Sequence, residues 1–130
     1  MPRMSGFDVC VRGSGAVAMA AALALSRLGL AVAWTGPRHG APAPDVRTYA
    51  LNAASVALLG TLKVWDSLPV EARTAVYDMR VMGDRPEAAA GFSAWSADAA
   101  ELAWIVDAAE LEAGLAAALR YAPHVSVVPD

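Results

Sequence analysis

Apolar runs and polar breaks along the first 36 residues follow a strand, helix, strand pattern. Residues 7–12 form a short apolar run that stops at glycine, which predicts a buried strand. Residues 15–28 are rich in alanine and leucine and precede Gly29, a residue typical of the position after a helix. A second apolar run covers 30–35. The pattern therefore predicts a βαβ unit with a buried helix.

The middle of the chain is predicted to contain a loop, a second helix and one further helical turn. Glycine and proline dominate residues 36–45, which indicates an irregular loop. Asn52 is a good N-cap for a helix that runs to about Leu62. Residues 70–75 are predicted to add one helical turn.

Three short strands are predicted next, and the Gly-Asp-Arg-Pro turn at 83–86 favours antiparallel hairpin pairing among them. These strands cover residues 77–82, 91–95 and 102–106.

A last helix and a last strand are predicted to rejoin the parallel sheet. Asp107 and Glu110 have the spacing of a capping box, which predicts a helix start at Asp107. Residues 125–128 are rich in valine and predict the final strand. The apolar face of the helix is expected to consist of Leu111, Leu115, Leu119 and Ala122.

The turn after the first strand carries Gly-x-Gly-x-x-Ala, a variant of the dinucleotide fingerprint. Gly13 permits the tight turn, Gly15 lets the backbone approach a pyrophosphate at the helix N-terminus, and Ala18 is small enough for helix–strand packing. A purely structural glycine turn is the alternative. The cofactor-binding residues predicted here are Gly13, Ser14, Gly15, Ala16, Val17 and Ala18.

The acidic residue that usually binds a ribose hydroxyl at the end of the second strand is absent, and Thr35 and Gly36 occupy its place. Two interpretations stay open. In the first, Arg38 accepts a 2′-phosphate, which would make this an NADP site. In the second, the ribose is held by Thr35, by water or by nothing, and the affinity for the dinucleotide is reduced.

Composition and charge exclude several classes of function. The net charge is −3 and no run of Lys and Arg is present, which argues against nucleic acid binding. The longest apolar run, 16–25, is too short for a transmembrane segment. Cys10 is the single cysteine, is expected to be a packed thiol, and suits a cytoplasmic protein. His39 and His124 lack ligand neighbours, so no metal site is predicted.

A mean hydropathy of +0.41 predicts apolar surface that a partner chain or a second copy in a homo-oligomer covers.

The segment DVRTYALNAAS (45–55), together with DVCVRGSGAVA (8–18) and LLGTLKVWDSLP (58–69), is far more specific than the glycines. It resembles the FAD-dependent aromatic hydroxylases of ubiquinone biosynthesis, within the para-hydroxybenzoate-hydroxylase-like flavoprotein monooxygenases. The resemblance implies that the βαβ unit binds the ADP half of FAD. It also implies that Arg47, in R-x-x-A-L, reaches the cofactor and that Asp107 lies near the ribityl chain.

In a complete enzyme of this kind, NAD(P)H is the electron donor and a phenolic substrate is hydroxylated with O₂. The expected fold is α/β, a Rossmann-like FAD/NAD(P)-binding parallel sheet with a short antiparallel insertion. Residues 1–69 would form the ADP-binding unit and the following helix, 77–106 the insertion, and 107–130 the helix and strand that rejoin the sheet.

The family's enzymes are much longer than this chain, so the resemblance implies an N-terminal portion that is inactive alone, and no catalytic residue is assigned. Two alternatives stay open. One is a non-catalytic relic of the flavin fold that acts as a binding or scaffold module. The other is an NADP-binding Rossmann module that uses Arg38.

Overall fold

A computed structural model describes residues 6–36 and 44–129. These ranges contain strands and α-helices in mixed order, with two short 3₁₀ turns at Trp65–Ser67 and Val70–Ala72. The elements are β1 (Val9–Arg12), α1 (Ala16–Arg27), β2 (Val32–Thr35), β3 (Thr48–Leu51), α2 (Ala53–Thr61), β4 (Arg73–Val76), β5 (Asp78–Met82), β6 (Ala89–Ser93), β7 (Ala103–Asp107), α3 (Ala108–Arg120) and β8 (Val125–Val127).

The first sheet is parallel and has the strand order β1-β2-β8. Val32 of β2 lies between Val9 of β1 and Val125 of β8, and every residue of β2 is buried. The predicted βαβ unit and the return of the last strand to the parallel sheet are confirmed. Since α1 follows β1 and α3 precedes β8, α1 begins at the carboxyl edge of this sheet and α3 ends at its amino edge.

The second sheet is antiparallel, with β7 between β3 and β4. Strand β3 was not predicted, because its four residues Thr48–Leu51 lie beside a loop and carry no long alternating pattern. The predicted helical turn over 70–75 is wrong in its second half, where β4 begins at Arg73. Pairing with β7 holds both short segments in the extended conformation of a strand. The local sequence contains no signal for this long-range contact.

Only two of the three strands predicted to form the insertion pair with each other. β5 and β6 form a hairpin across the predicted Gly-Asp-Arg-Pro turn, whereas β7 pairs with β3 and β4, so the expected pairing of 102–106 with the hairpin is wrong. The hairpin carries exposed apolar side chains, among them Met79, Val81 and Phe92.

The core lies between α1, β2, α2, β7 and α3. Leu111, Leu115 and Leu119 of α3 are buried as predicted, and Ala122 packs against the core while partly exposed. Three of the four tryptophans pack in or against this core, namely Trp34, Trp65 and Trp104. Trp95 is 94% exposed.

The prediction that the Cys10 thiol is packed in the core is wrong. Cys10 lies on β1, an edge strand on which Val9 and Val11 are half-buried and the intervening residue is exposed. Strand alternation therefore turns Cys10 away from the core.

The helix starts confirm one predicted cap and correct another. The Asn52 Oδ1 accepts the Ser55 N–H at 2.9 Å, as an N-cap should. The predicted capping box at Asp107 does not form, because the Asp107 side chain makes no capping hydrogen bond. Asp107 still belongs to β7, and the Arg47 carbonyl accepts the Ala108 N–H at 3.0 Å instead. Over the described ranges, no helix is long and apolar enough to cross a membrane.

Candidate functional site

The end of β2 holds the turn between β1 and α1. Gly13 has a φ of +138°, a conformation that favours glycine. Its N–H donates to the Thr35 carbonyl at 2.8 Å, and its own carbonyl accepts a hydrogen bond from the Trp34 Nε1 at 2.7 Å. Both backbone groups of the first motif glycine are therefore engaged within the protein.

Helix α1 begins with an open, uncapped N-terminus. Gly15 is the N-cap residue, no described side chain caps the helix, and its first turn has no acidic residue. A Cβ atom built on Gly15 would meet no heavy atom within 4 Å. Open space beside N–H groups at the positive end of the helix dipole fits phosphate oxygens.

The remaining motif residues divide between packing and exposure. Ala16 packs against the core, Ser14 is half-buried and Val17 is exposed. A Cβ atom on Gly13 would lie 3.0 Å from the Ala18 Cβ. Because Gly13 has no Cβ, the alanine methyl at the third position of the motif is accommodated.

Thr35 and Gly36 support the turn from the opposite side. Thr35 is 8% exposed, so little of its side chain is open to a ligand. Gly36 has a φ of +105°, and a Cβ atom there would lie 3.1 Å from the Gly13 nitrogen. This crowding is a physical reason for the absent acid, since any side chain at this position meets the motif's own backbone. Arg38 and His39 lie outside the described residues.

Arg47 is held by an acidic and aromatic cluster just before β3. Its Nε and Nη2 donate to the two carboxylate oxygens of Asp45 at 3.0 and 2.8 Å, and the Glu112 Oε1 lies 3.8 Å from Nη2. The guanidinium carbon lies 6.0 Å from the centre of the Tyr49 ring. The Arg47 side chain is nevertheless 59% exposed, so a cation of fixed orientation faces solvent.

The electrostatics of this cluster follow from the same contacts. The hydrogen bond to Asp45, followed by the charge of that carboxylate, raises the pKa of Arg47 above its usual range. Burial, followed by the hydrogen bond that its hydroxyl donates to Glu112 at 3.1 Å, raises the pKa of Tyr49. The guanidinium and the phenol are therefore charged and neutral, respectively, at neutral pH.

Arg47 and Asp107 are brought together where β7 leads into α3. Thr48, the residue after Arg47, pairs with Asp107 across β3 and β7, and the Arg47 carbonyl accepts the first N–H of α3. Helix α3 ends just before β8, which runs parallel to β1 and β2, so its first turn lies toward the carboxyl edge of that sheet. Because α1 also begins at this edge, the topology places the glycine turn, Arg47 and Asp107 on the same end of the molecule.

A groove lies at the other end of the molecule. It has a volume of about 510 Å³ and is formed where α1 and α3 end. The C-termini of helices carry partial negative charge, which does not favour phosphate. Its lining includes Leu23, Ser26, Lys63, Tyr121 and His124.

Sequence reasoning missed the residues that hold the site. The spacing of Asp45 and Arg47, two residues apart, was a local signal for an ion pair. Trp34 gave no such signal, since it lies 21 residues from its partner Gly13. Glu112 gave none either, since it lies 63 residues from its partner Tyr49. In the described ranges no group of three His, Cys, Asp or Glu side chains is arranged to hold a metal ion.

Comparisons with known proteins show a similar fold and one similar sequence segment. No protein-family model matches the chain. Over an alignment of 68 residues, which covers 47% of the chain and 17% of the relative, the chain is 43% identical to 3-demethoxyubiquinol 3-hydroxylase of Escherichia coli (strain K12). The crystal structure of p-nitrophenol 4-monooxygenase PnpA from Pseudomonas putida DLL-E4 superposes on 93% of the chain with a TM-score of 0.69 and 19% identity. The ternary complex of aklavinone-11 hydroxylase with FAD and aklavinone superposes on 95% with a TM-score of 0.63 and 18% identity.

The chain has the fold of part of an FAD-dependent aromatic hydroxylase. It spans 31% of the length of the p-nitrophenol monooxygenase and 25% of that of the aklavinone hydroxylase. The expected α/β fold and the resemblance to these hydroxylases are therefore confirmed. The predicted site residues lie where described above, and their contacts with a cofactor stay a prediction.

Proposed function

We propose that this chain binds the ADP half of FAD and forms part of a flavin-dependent monooxygenase that hydroxylates a phenolic, ubiquinone-precursor-like substrate. One observation carries the proposal. The N-cap glycine of α1 has open space beside it and no capping side chain, which is the arrangement that a diphosphate requires. The FAD of a structural neighbour with the same fold supports the choice of dinucleotide.

Different residues of the site would have different roles in binding the cofactor. The backbone N–H groups from Ser14 to Ala18 would hold the diphosphate, while Gly13, Thr35 and Gly36 keep the turn in shape. Arg47 would add a positive charge from the same end of the molecule, because Asp45 already orients its guanidinium. Asp107, exposed at the end of β7, would contact a polar part of the cofactor.

The bound flavin would supply the redox chemistry, with NAD(P)H as reductant and O₂ as oxidant. This chain's own residues would bind and orient the cofactor. The neighbouring enzymes are three to four times as long as the matched region. We therefore expect that residues 1–130 bind FAD without hydroxylating a substrate by themselves.

The test is a titration of the purified chain with FAD and, in parallel, with NADPH, followed by flavin fluorescence and by thermal stability. We expect saturable FAD binding in the wild type. Arg47→Ala should weaken it about 10- to 100-fold, since hydrogen bonds to charged groups contribute about 1.5–3 kcal/mol. Arg120→Ala removes the same charge at the end of α3, at the opposite end of the molecule, and should leave FAD affinity unchanged.

The other outcomes favour the alternatives. Binding of NADPH and not FAD would favour the NADP-binding module that uses Arg38. A folded chain that binds neither would favour a relic that serves as a scaffold. Coverage of the apolar hairpin surface by a partner or a second copy stays a prediction, which the molar mass from light scattering checks. A cytoplasmic location also stays a prediction.

A further inference from the structure

We propose that Trp34 is a positioning residue for the diphosphate site, because its indole N–H holds the Gly13 carbonyl and thereby aims the Ser14 N–H at the ligand. This inference rests on the proposed function and names a residue outside the glycine motif. The Trp34 Nε1 lies 2.7 Å from the Gly13 oxygen, a short hydrogen bond between a side chain of β2 and the turn after β1.

The direction of the Ser14 N–H follows from the geometry of the peptide bond. No peptide bond among the described residues is cis. In a trans peptide the C=O of one residue and the N–H of the next point in opposite directions. The Gly13 carbonyl points at the indole of Trp34, which is 6% exposed. The Ser14 N–H therefore points away from that buried ring.

The orientation of the Gly13 carbonyl depends on this hydrogen bond from Trp34. Gly13 has a φ of +138° and no Cβ, so rotation of its peptide unit meets little steric resistance. The Thr35 carbonyl fixes only the N–H of Gly13, on the preceding peptide unit. Without the indole donor, the Gly13 carbonyl would gain a partner by turning toward water, and this rotation would reverse the Ser14 N–H.

The ligand class follows from the amide. An N–H aimed at a site beside the positive end of α1 favours an oxyanion, and its hydrogen bond to a phosphate oxygen is charge-assisted. The inference is thus specific to the diphosphate of a dinucleotide and not to its rings.

The experiment compares Trp34→Phe with Trp104→Phe in the full chain. Phenylalanine keeps an aromatic ring at both positions and removes the indole N–H. Trp104 is the matched control, because it lies on β7 of the second sheet and packs edge-on against Trp65 with ring centres 5.2 Å apart. Three quantities are measured: the amide ¹⁵N shift of Ser14 without ligand, the dissociation constants of ADP and FAD, and the melting temperature.

We expect the Ser14 ¹⁵N shift to move in Trp34→Phe and to stay at its wild-type value in Trp104→Phe. ADP and FAD should bind Trp34→Phe about tenfold more weakly, the loss expected for one hydrogen bond to a charged group. Trp104→Phe should lower the melting temperature but should bind ADP and FAD with wild-type affinity. If Trp34→Phe does not fold, 3-benzothienylalanine at Trp34 keeps the shape of the ring, exchanges N–H for sulfur and gives the same comparison.

An unchanged Ser14 shift, or equal affinity in wild type and Trp34→Phe, would overturn the positioning role and leave the proposed function standing. Affinities that fall equally in both variants would also overturn it, because they would reflect lost stability alone. If wild-type protein binds neither ADP nor FAD, the proposed function itself fails, and the inference fails with it.

Discussion

The end of β2 allows a test of why no acidic residue follows this strand. Gly36 has a φ of +105°, and a Cβ atom there would lie 3.1 Å from the Gly13 nitrogen and 3.3 Å from its Cα. Gly29 also has a positive φ, +84°, but a Cβ atom there would meet no heavy atom within 4 Å. Gly29→Ala therefore measures backbone strain, and Gly36→Ala measures strain plus crowding.

The structure sets the expected sizes of the two effects. Gly29→Ala should lower the free energy of unfolding by about 1–2 kcal/mol, the cost of a left-handed backbone for a residue with Cβ. Gly36→Ala should cost about 2–4 kcal/mol, since crowding in a packed site adds roughly 1–3 kcal/mol. The atoms that a new methyl would meet are backbone atoms of Gly13, which has no side-chain rotamer that could move away.

The assay is urea unfolding followed by tryptophan fluorescence, combined with FAD titration of each folded variant. Gly36→Asp restores the usual acid and should destabilise the protein at least as much as Gly36→Ala, without any gain in FAD affinity. If Gly36→Ala costs no more than Gly29→Ala, crowding against Gly13 does not explain the absent acid. Tighter FAD binding by Gly36→Asp at wild-type stability would contradict the same explanation.

Substitutions at three further positions test the packing, the capping and the electrostatics. Leu115→Ala removes a fully buried side chain and should cost about 2–5 kcal/mol in urea unfolding, and a cost below about 1 kcal/mol would contradict its place in the core. Asn52→Ala should cost about 1 kcal/mol, whereas Asn52→Asp keeps the cap and should cost little; equal losses would argue against the cap. Because burial and Glu112 raise the pKa of Tyr49, the folded state holds its proton more tightly than the unfolded chain. The resulting stability is complete below about pH 10 and is lost as pH rises through the folded pKa. Tyr49→Phe should flatten this loss in urea midpoints, and identical pH profiles would disprove it.

The candidate cofactor site shows where local sequence is informative. The glycine motif and Arg47 lie in continuous segments whose residue types are specific, so the sequence alone is enough to name these candidate residues. It is not enough to name the residues that support them. Arg47 is oriented by the nearby Asp45 but also by Tyr49 and Glu112, and Glu112 comes from a helix that follows much later in the chain.

Sequence alone determined the βαβ unit, the buried face of α3 and the hairpin turn between β5 and β6. These features depend on periodicity and turn chemistry within a few residues, which physical rules connect directly to local structure. Tertiary structure decided the strands β3 and β4, the exposure of Cys10 and the missing cap at Asp107. Each of these depends on a partner strand or on the face that a strand turns to the core. The hydrogen bond from Trp34 to Gly13 is of the same kind, because it exists only once β1 and β2 lie side by side.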